Sequence, residues 1–364
     1  MCKNKLYNSR LANSGVELFW FVPSMGDEQR LGDPTSAAAP TIEHLAHVAQ
    51  TAERAGFGAM LVPTGEMCHD AWITAACLAQ RTTTMKFLVA FRPGFVSPPV
   101  AARMASSLDW MSNGRVLLNV VTGGHPHELE KDGDVGVDHD ARYRRTAEFL
   151  DVVKRSWAET GWEHDGEFFN VRNGGIAQRG PQQPHPPIYL GGASEAAMRT
   201  AAQYADVYLM WGEPVQNMAP RAAQAVALAK AEFGRALKVG TRFQVVCRPT
   251  DAQARADAEL LVAHISDDYR DRIRSHADRT DSVGQSRQNE LLGDSEWLSD
   301  CLWNGFARAR MGASVALVGS PETIRTELQK FVDAGIDTFI LSGYPHDAEA
   351  TNCTELVRLA TQCW

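Results

Sequence analysis

Arg242 and Gln244 stand two apart in the run Gly240-Thr-Arg-Phe-Gln-Val-Val-Cys247, whose other members are mostly apolar or β-branched. In a strand, that spacing turns both side chains to one face. An arginine facing a protein interior is costly without an anion to take its fork of donors. The competing reading is an arginine at a rim, bridged to a carboxylate, and the spacing leaves both open. Arg310, far along the chain, supplies a candidate second cation. Tyr344 and His346 follow Thr338-Phe-Ile-Leu-Ser-Gly, where an apolar run opens directly onto two polar aromatics. Cations, a phenol and an imidazole together can grip an oxyanion and move protons; the same set lacks a paired carboxylate dyad.

Gly191-Gly-Ala-Ser194 follows the apolar run Pro187–Leu190. Free N–H groups at a helix start, with no side chain in the way and a hydroxyl beside them, bind phosphate. A tight strand-to-helix turn built on glycine is the alternative. Cys68 lies in Pro63-Thr-Gly-Glu-Met-Cys-His-Asp70 beside His69, and reads as a packed thiol near a ligand rather than a nucleophile. His125-Pro126-His127-Glu128 has metal-ligating types, but the first strand ends without histidine, and no metal is expected. Other strand ends present Met25 and Gln29, Thr64, Arg92, Asn119 and Thr122, and Trp211.

Eight apolar segments have the length and composition to hold these groups in place: Val16–Val22, Ala59–Val62, Phe87–Phe91, Val116–Val121, Pro187–Leu190, Val207–Met210, Gly240–Cys247 and Asp337–Leu341. Helical patterns separate most of them. Ile42, Leu45, Val48, Ala49 and Ala52 share a helix face, with Gly56 as its stop. Ser320 caps a second helix, Pro321 opens it, Ile324, Leu328, Phe331 and Val332 form its buried stripe, and Gly335 ends it. Strands and helices alternating eight times predict an α/β protein: a single (β/α)8 TIM-barrel domain over 1–364, with active groups at the carboxyl ends of its strands. Three segments interrupt the alternation: a Gly/His/Asp-rich loop over 123–140, an excursion over 159–186 with a short hairpin through Phe168–Val171, and a charged insertion over 268–312. The last is expected to be mobile and to lead into a Trp-containing helix; loops of such length are usually lids or binding elements.

Bulk properties narrow the partners. Net charge is −8, from 36 Lys/Arg and 44 Asp/Glu, without long like-charge runs. That balance argues against nucleic acid or an anionic membrane as partner. No apolar run approaches the roughly 20 residues that span a bilayer. Met1-Cys-Lys-Asn-Lys5 is polar with no signal-peptide core behind it. Seven scattered cysteines without a CxxC pair point to reduced thiols. A cytoplasmic enzyme is the expectation.

With these residues laid out, the chain resembles the bacterial-luciferase-like flavin monooxygenases, and within them the two-component FMNH2-dependent alkanesulfonate monooxygenases. The carriers are ELFWFVPSMGD, LVPTGEMCHDAW, KFLVAFRPGFVSPPVAARMASSLDWMSNGR, LNVVTGG, DHDARY, PPIYLGGAS, YLMWGEP, DSVGQSR and FILSGYPH, in order over residues 16–350. The resemblance implies a (β/α)8 barrel with a mobile insertion after strand 7. It implies reduced FMN delivered by a separate NAD(P)H-dependent flavin reductase, activation of O2, and cleavage of an organosulfonate to an aldehyde and sulfite. By that pattern Tyr143 and Ser194 match positions at the FMN phosphate, beside the Gly191-Gly192 turn already read as a phosphate cradle. Asn119, Thr122, Thr64 and Arg92 match positions near the flavin, Arg242 and Arg310 the sulfonate-binding and proton-donating arginines, Tyr344 and His346 active-site residues, and Cys68 and Trp211 cavity-lining positions. Relatives usually form homodimers or homotetramers.

This chain departs from that pattern where Gln244 replaces a histidine and where the first loop carries Met25 and Gln29 in place of histidines. Gln244 cannot shuttle a proton near neutral pH. Met25 and Gln29 are expected to contact a changed, more polar substrate such as a sugar sulfonate, with Gln244 in a catalytic position. Action on a sulfone, a thioether or an amine, deazaflavin-dependent oxidoreduction, and a non-catalytic flavin-binding subunit are the alternatives.

Overall fold

The computed structural model describes residues 15–362 apart from His125, Asp278, Arg279 and Asp294. Eight strands carry the architecture: β1 Glu17–Phe21, β2 Ala59–Val62, β3 Lys86–Phe91, β4 Val116–Val120, β5 Ile188–Gly191, β6 Val207–Trp211, β7 Lys238–Cys247 and β8 Thr338–Ser342. Each pairs in parallel with the next, and β8 returns to β1, closing the barrel. The eight expected strands are thus present, within two residues at each end. Both faces of such strands are buried, so they read as continuous apolar runs.

The faces divide by parity. Phe19, Phe21, Leu61, Leu88, Ala90, Leu117, Tyr189, Leu209 and Ile340 fill the barrel interior. Their neighbours Leu18, Trp20, Met60, Val89, Leu118, Leu190 and Tyr208 face the helices. Those helices are α1 Ile42–Ala55, α2 Ala71–Ala79, α3 Pro98–Ser112, α4 His139–Ala158, α5 Glu195–Tyr204, α6 Val215–Phe233, α7 Pro321–Asp333, and α8 His346–Asn352 continued by Thr354–Gln362. Thr41 caps α1, and Gly56 closes it at φ 99°, a left-handed conformation suited to glycine. Ser320 caps α7, with Pro321 in its first turn.

Three details differ from the sequence reading. The excursion before β5 does form a hairpin, but of Trp162–Asp165 against Asn170–Gly174, with Phe168 and Phe169 in its turn. The insertion has no Trp-containing helix: Trp303 lies in the short strand Leu302–Trp303, and Trp297 bridges to it. That strand runs antiparallel to Ala316–Gly319, an apolar run not anticipated as a strand, which pairs in parallel with the far half of β7. The ten-residue β7 therefore serves the barrel with one half and a satellite core with the other. Trp303, Phe306, Ala316 and Val318 pack there with Val246 and Leu31. Among the described residues, no helix is long and apolar enough to cross a membrane.

Candidate active site

The register settles which way Arg242 faces. It lies opposite Ile340 on β8 and Trp211 on β6, and Ile340 belongs to the interior cluster. Paired residues share a face, so Arg242 and Trp211 point inward at the carboxyl end of the barrel. The Arg242 guanidinium lies 4.2 Å over the Phe21 ring. Part of its side chain still reaches the mouth, yet Nε and Nη2 are buried and unpartnered. Burial, with the nearby charge of Arg310, pulls its pKa down to about 9. A guanidinium gives up its proton reluctantly, so this desolvation is expressed mainly as a demand for an anion. The carboxylate bridge that the sequence left open is not there; Arg310, Tyr344 and Cys68 are the charge neighbours.

Arg310 completes this side. Its Nη1 donates to the Tyr344 hydroxyl at 2.9 Å and its Nε to the Met311 carbonyl at 3.2 Å. Tyr344 is wedged between the Phe306 ring of the satellite core and the ring of His346, centroids 5.8 and 5.1 Å away. His346 is 3% exposed and donates through Nδ1 to the Asp27 carboxylate at 2.7 Å. Cys68 is half-buried, and burial raises its thiol pKa, which keeps it protonated and poorly nucleophilic.

Gln244 also lies on the interior face, opposite Ser342, but is fully buried. Its Nε2 donates to the Ala313 carbonyl at 3.0 Å and its Oε1 accepts from the Ser342 hydroxyl at 2.9 Å. Met25 is 53% exposed and Gln29 is exposed on the loop after β1. Thr64 is half-buried after β2. Arg92 is matched by Glu128 at 2.8 Å and Asp132 at 3.1 Å, leaving its buried Nε without a partner.

A second cluster forms around the ends of β4 and β5. Asn119 is opposite Ala90 and Tyr189, hence inward, and its buried Oδ1 has no donor. The Tyr143 hydroxyl from α4 lies beside the Thr122 and Ser194 side chains, and burial raises its pKa. Gly192 has φ 153°, and a Cβ there would come within 2.7 Å of the Tyr143 oxygen and 2.5 Å of Ala197. Only glycine admits that approach. Ser194 caps α5, its Oγ accepting from the Ala197 N–H at 3.2 Å. Converging hydroxyls, a glycine cradle at a helix start and an orphaned acceptor in the barrel fit a group with a phosphate at one end and a polar ring at the other. FMN has that form.

The far half of the insertion is docked on this mouth. Helix Val283–Glu290 is clamped to the segment after β6 through Arg287, whose Nε and Nη2 reach Glu213 at 2.9 and 2.8 Å. Gln288 bonds the Gly212 carbonyl and Ser314, and Gln285 accepts from the Gly312 N–H. Arg142 Nη2 reaches Asp281 at 2.5 Å, and Thr280 bonds the Gly124 carbonyl. These anchors and Asp27 had no role in the sequence reading. The DSVGQSR segment holds Asp281, Gln285 and Arg287, so its polar residues carried the signal without naming their partners. His125 lies outside the described residues and His127 is exposed; no group of three or more His, Cys, Asp or Glu among the described residues is arranged to hold a metal ion.

Comparison with known proteins agrees with this geometry. The luciferase-like monooxygenase family model matches residues 16–338. A solved riboflavin lyase, determined with modified FMN and riboflavin, superposes with a TM-score of 0.78 at 19% identity, covering 94% of this chain and 90% of that one. A long-chain alkane monooxygenase follows at 0.76 and 20% identity, with 94% and 90% covered. The EDTA monooxygenase of Chelativorans sp. BNC1 gives 0.75 at 18% identity, with 95% and 93% covered. A family match over nearly the whole barrel, on a fold shared with such enzymes, makes this chain a member of the luciferase-like monooxygenases.

Proposed function

We propose that the chain is a reduced-FMN- and O2-dependent monooxygenase that breaks the C–S bond of a small or polar organosulfonate. One sulfonate, one O2 and one reduced flavin give one aldehyde, one hydrogen sulfite, one oxidised flavin and one water. The observation that carries this reading is Arg242: a guanidinium inside the barrel with two unpartnered N–H-bearing nitrogens, beside a second arginine and no carboxylate. A sulfonate bears a permanent negative charge and three acceptor oxygens, which suits planar arginine forks better than ammonium points.

When bound, reduced FMN supplies the two electrons needed to split O2 between product and water. Asn119, Thr122, Tyr143, Gly191, Gly192 and Ser194 would hold it, with Thr64 and Arg92 nearby. Arg242 and Arg310 take the sulfonate oxygens and orient its carbon. Tyr344 already accepts a hydrogen bond from Arg310, so its own hydroxyl proton is free to be donated toward the mouth. Trp211 and the docked helix Val283–Glu290 keep water out, while Cys68 packs beside the anion. Gln244 positions the Ala313 turn and β8 rather than handling protons. Met25 and Gln29 would meet the substrate at the entrance. A separate NAD(P)H-dependent reductase supplies the flavin, and the working form is a homodimer or homotetramer in the cytoplasm.

Sulfite release from methane-, ethane- and pentanesulfonate and a sugar sulfonate, with FMN, a flavin reductase and NADH, tests the reading. Sulfite above the enzyme-free rate with at least one of them is expected. Flavin oxidation unaffected by every sulfonate, with no sulfite, would overturn it.

A further inference from the structure

Asp27 lies on the loop after β1, where Asp27–Glu28 pairs with Ala37–Ala38. Its carboxylate is 1% exposed, and each of its acceptors is used. Oδ1 meets His346 Nδ1 at 2.7 Å, both oxygens face the His346 N–H at 3.2 Å, and Oδ2 meets His44 Nε2 of α1 at 3.1 Å. Pro345, at the cap of α8, makes no side-chain cap bond. The carboxylate therefore caps this helix from a distant element while holding the ring of its first residue. That ring is the surface against which Tyr344 stands edge-on, and Tyr344 receives Arg310. The chain of contacts runs from a part-exposed histidine on an outer helix to the anion-binding arginine.

We propose that Asp27 is a positioning residue for the active site: it fixes the tautomer and orientation of His346 and, through that ring, sets the Tyr344–Arg310 pair. The proposal rests on the reading of this mouth as the active site. The titratable groups that face Asp27 are His346 from α8 and His44 from α1. His47 and Asp347 join the same two helices at 3.3 Å, and Tyr344 stands behind His346. Burial alone would raise the Asp27 carboxyl, but the hydrogen bonds and charge of His346, together with His44, hold it below the usual range. It is a carboxylate at any pH where the enzyme would work, so it presents only acceptors. An imidazole nitrogen held against it carries the proton, which leaves Nε2 as the acceptor of neutral His346.

The first test needs neither flavin nor sulfonate. Imidazole 15N shifts of the whole chain are expected to show neutral His346 protonated at Nδ1, and a mixture of tautomers in Asp27→Asn. In His44→Gln, which keeps a donor to Asp27, the Nδ1-protonated form of neutral His346 should persist. With whichever substrate releases sulfite, Asp27→Asn should lower kcat on the order of a hundredfold through misplacement of the pair. Its KM for that sulfonate should change far less. A His346 tautomer identical in wild type and Asp27→Asn would overturn the proposal. Should Asp27→Asn not fold, the wild-type and His44→Gln spectra decide: neutral His346 protonated at Nδ1 in both supports it, and protonation at Nε2 sinks it. Altered imidazole behaviour without sulfite release from any sulfonate would leave Asp27 in its role and remove only the substrate reading.

Discussion

On the proposed reading, Arg242 places function and stability in opposition at one side chain. Its buried nitrogens lack partners, and a buried unsatisfied polar group costs about 1–3 kcal/mol. Arg242→Met removes that cost while keeping much of the volume. We expect the ligand-free variant to melt higher, by about 1–3 kcal/mol in denaturant titrations, and its sulfonate affinity to fall on the order of a hundredfold, read by tryptophan fluorescence. Because a guanidinium holds its proton, the stability advantage of the Met variant should persist at neutral and mildly alkaline pH alike. Arg242 was legible in the sequence because an arginine inside an apolar run is an anomaly. Asp27 was not, because its partner His346 lies 319 residues away and nothing local separates it from Glu28.

At the level of elements, the insertion divides into two parts. Helix Asp267–Ala277 carries no buried residues among those described, whereas Val283–Glu290 buries Gln285 and Gln288 against the barrel. Glu213 is 3% exposed and takes both Arg221, at 2.6 Å, and Arg287, and their charges keep its carboxyl below the usual range despite burial. Arg287→Ala should loosen the second helix by about 1–3 kcal/mol. Hydrogen exchange over 283–290 should then speed up while exchange in β1 to β8 stays slow; unchanged protection would mean that the clamp is unimportant. The eight strands were readable because apolar runs announce burial on both faces. The insertion was not, since its folding rests on polar pairs such as Glu213–Arg287, 74 residues apart. The Ala316–Gly319 strand was overlooked because four apolar residues beside a helix cap look like an entry to that helix; only the extra length of β7 gives them a partner.

Across the whole molecule, buried carboxylates set the response to acid. Asp27 and Glu53 are held below their ordinary range; burial opposes this, but His346 and His44 in one case and the Thr84, Met85 and Thr83 N–H groups in the other prevail. Glu213 behaves likewise. Such groups stabilise the fold above their unfolded pKa, and that stability is lost as pH falls through the lowered folded value. Asp337 and Glu349 are raised by burial and act in the opposite sense, favouring the fold at low pH and less so as they ionise. With three lowered groups against two raised, urea midpoints should be flat near neutrality and fall steeply below about pH 4. Asp27→Asn should flatten part of that fall.

Arg242 sits in the half of β7 that closes the barrel, while the other half grips Ala316–Gly319, a few residues beyond Arg310. That rung pattern fixes the footing of Arg242, while the stretch beside Arg310 is held between it and the Gln285 and Gln288 side chains. Helix Asp267–Ala277 takes no part in those contacts, so on the proposed reading its residues can be exchanged for those of a relative, changing who enters and how fast, without moving the charges that receive the guest. Access and grip are separately adjustable in this scaffold, which makes that helix the natural place to retarget it.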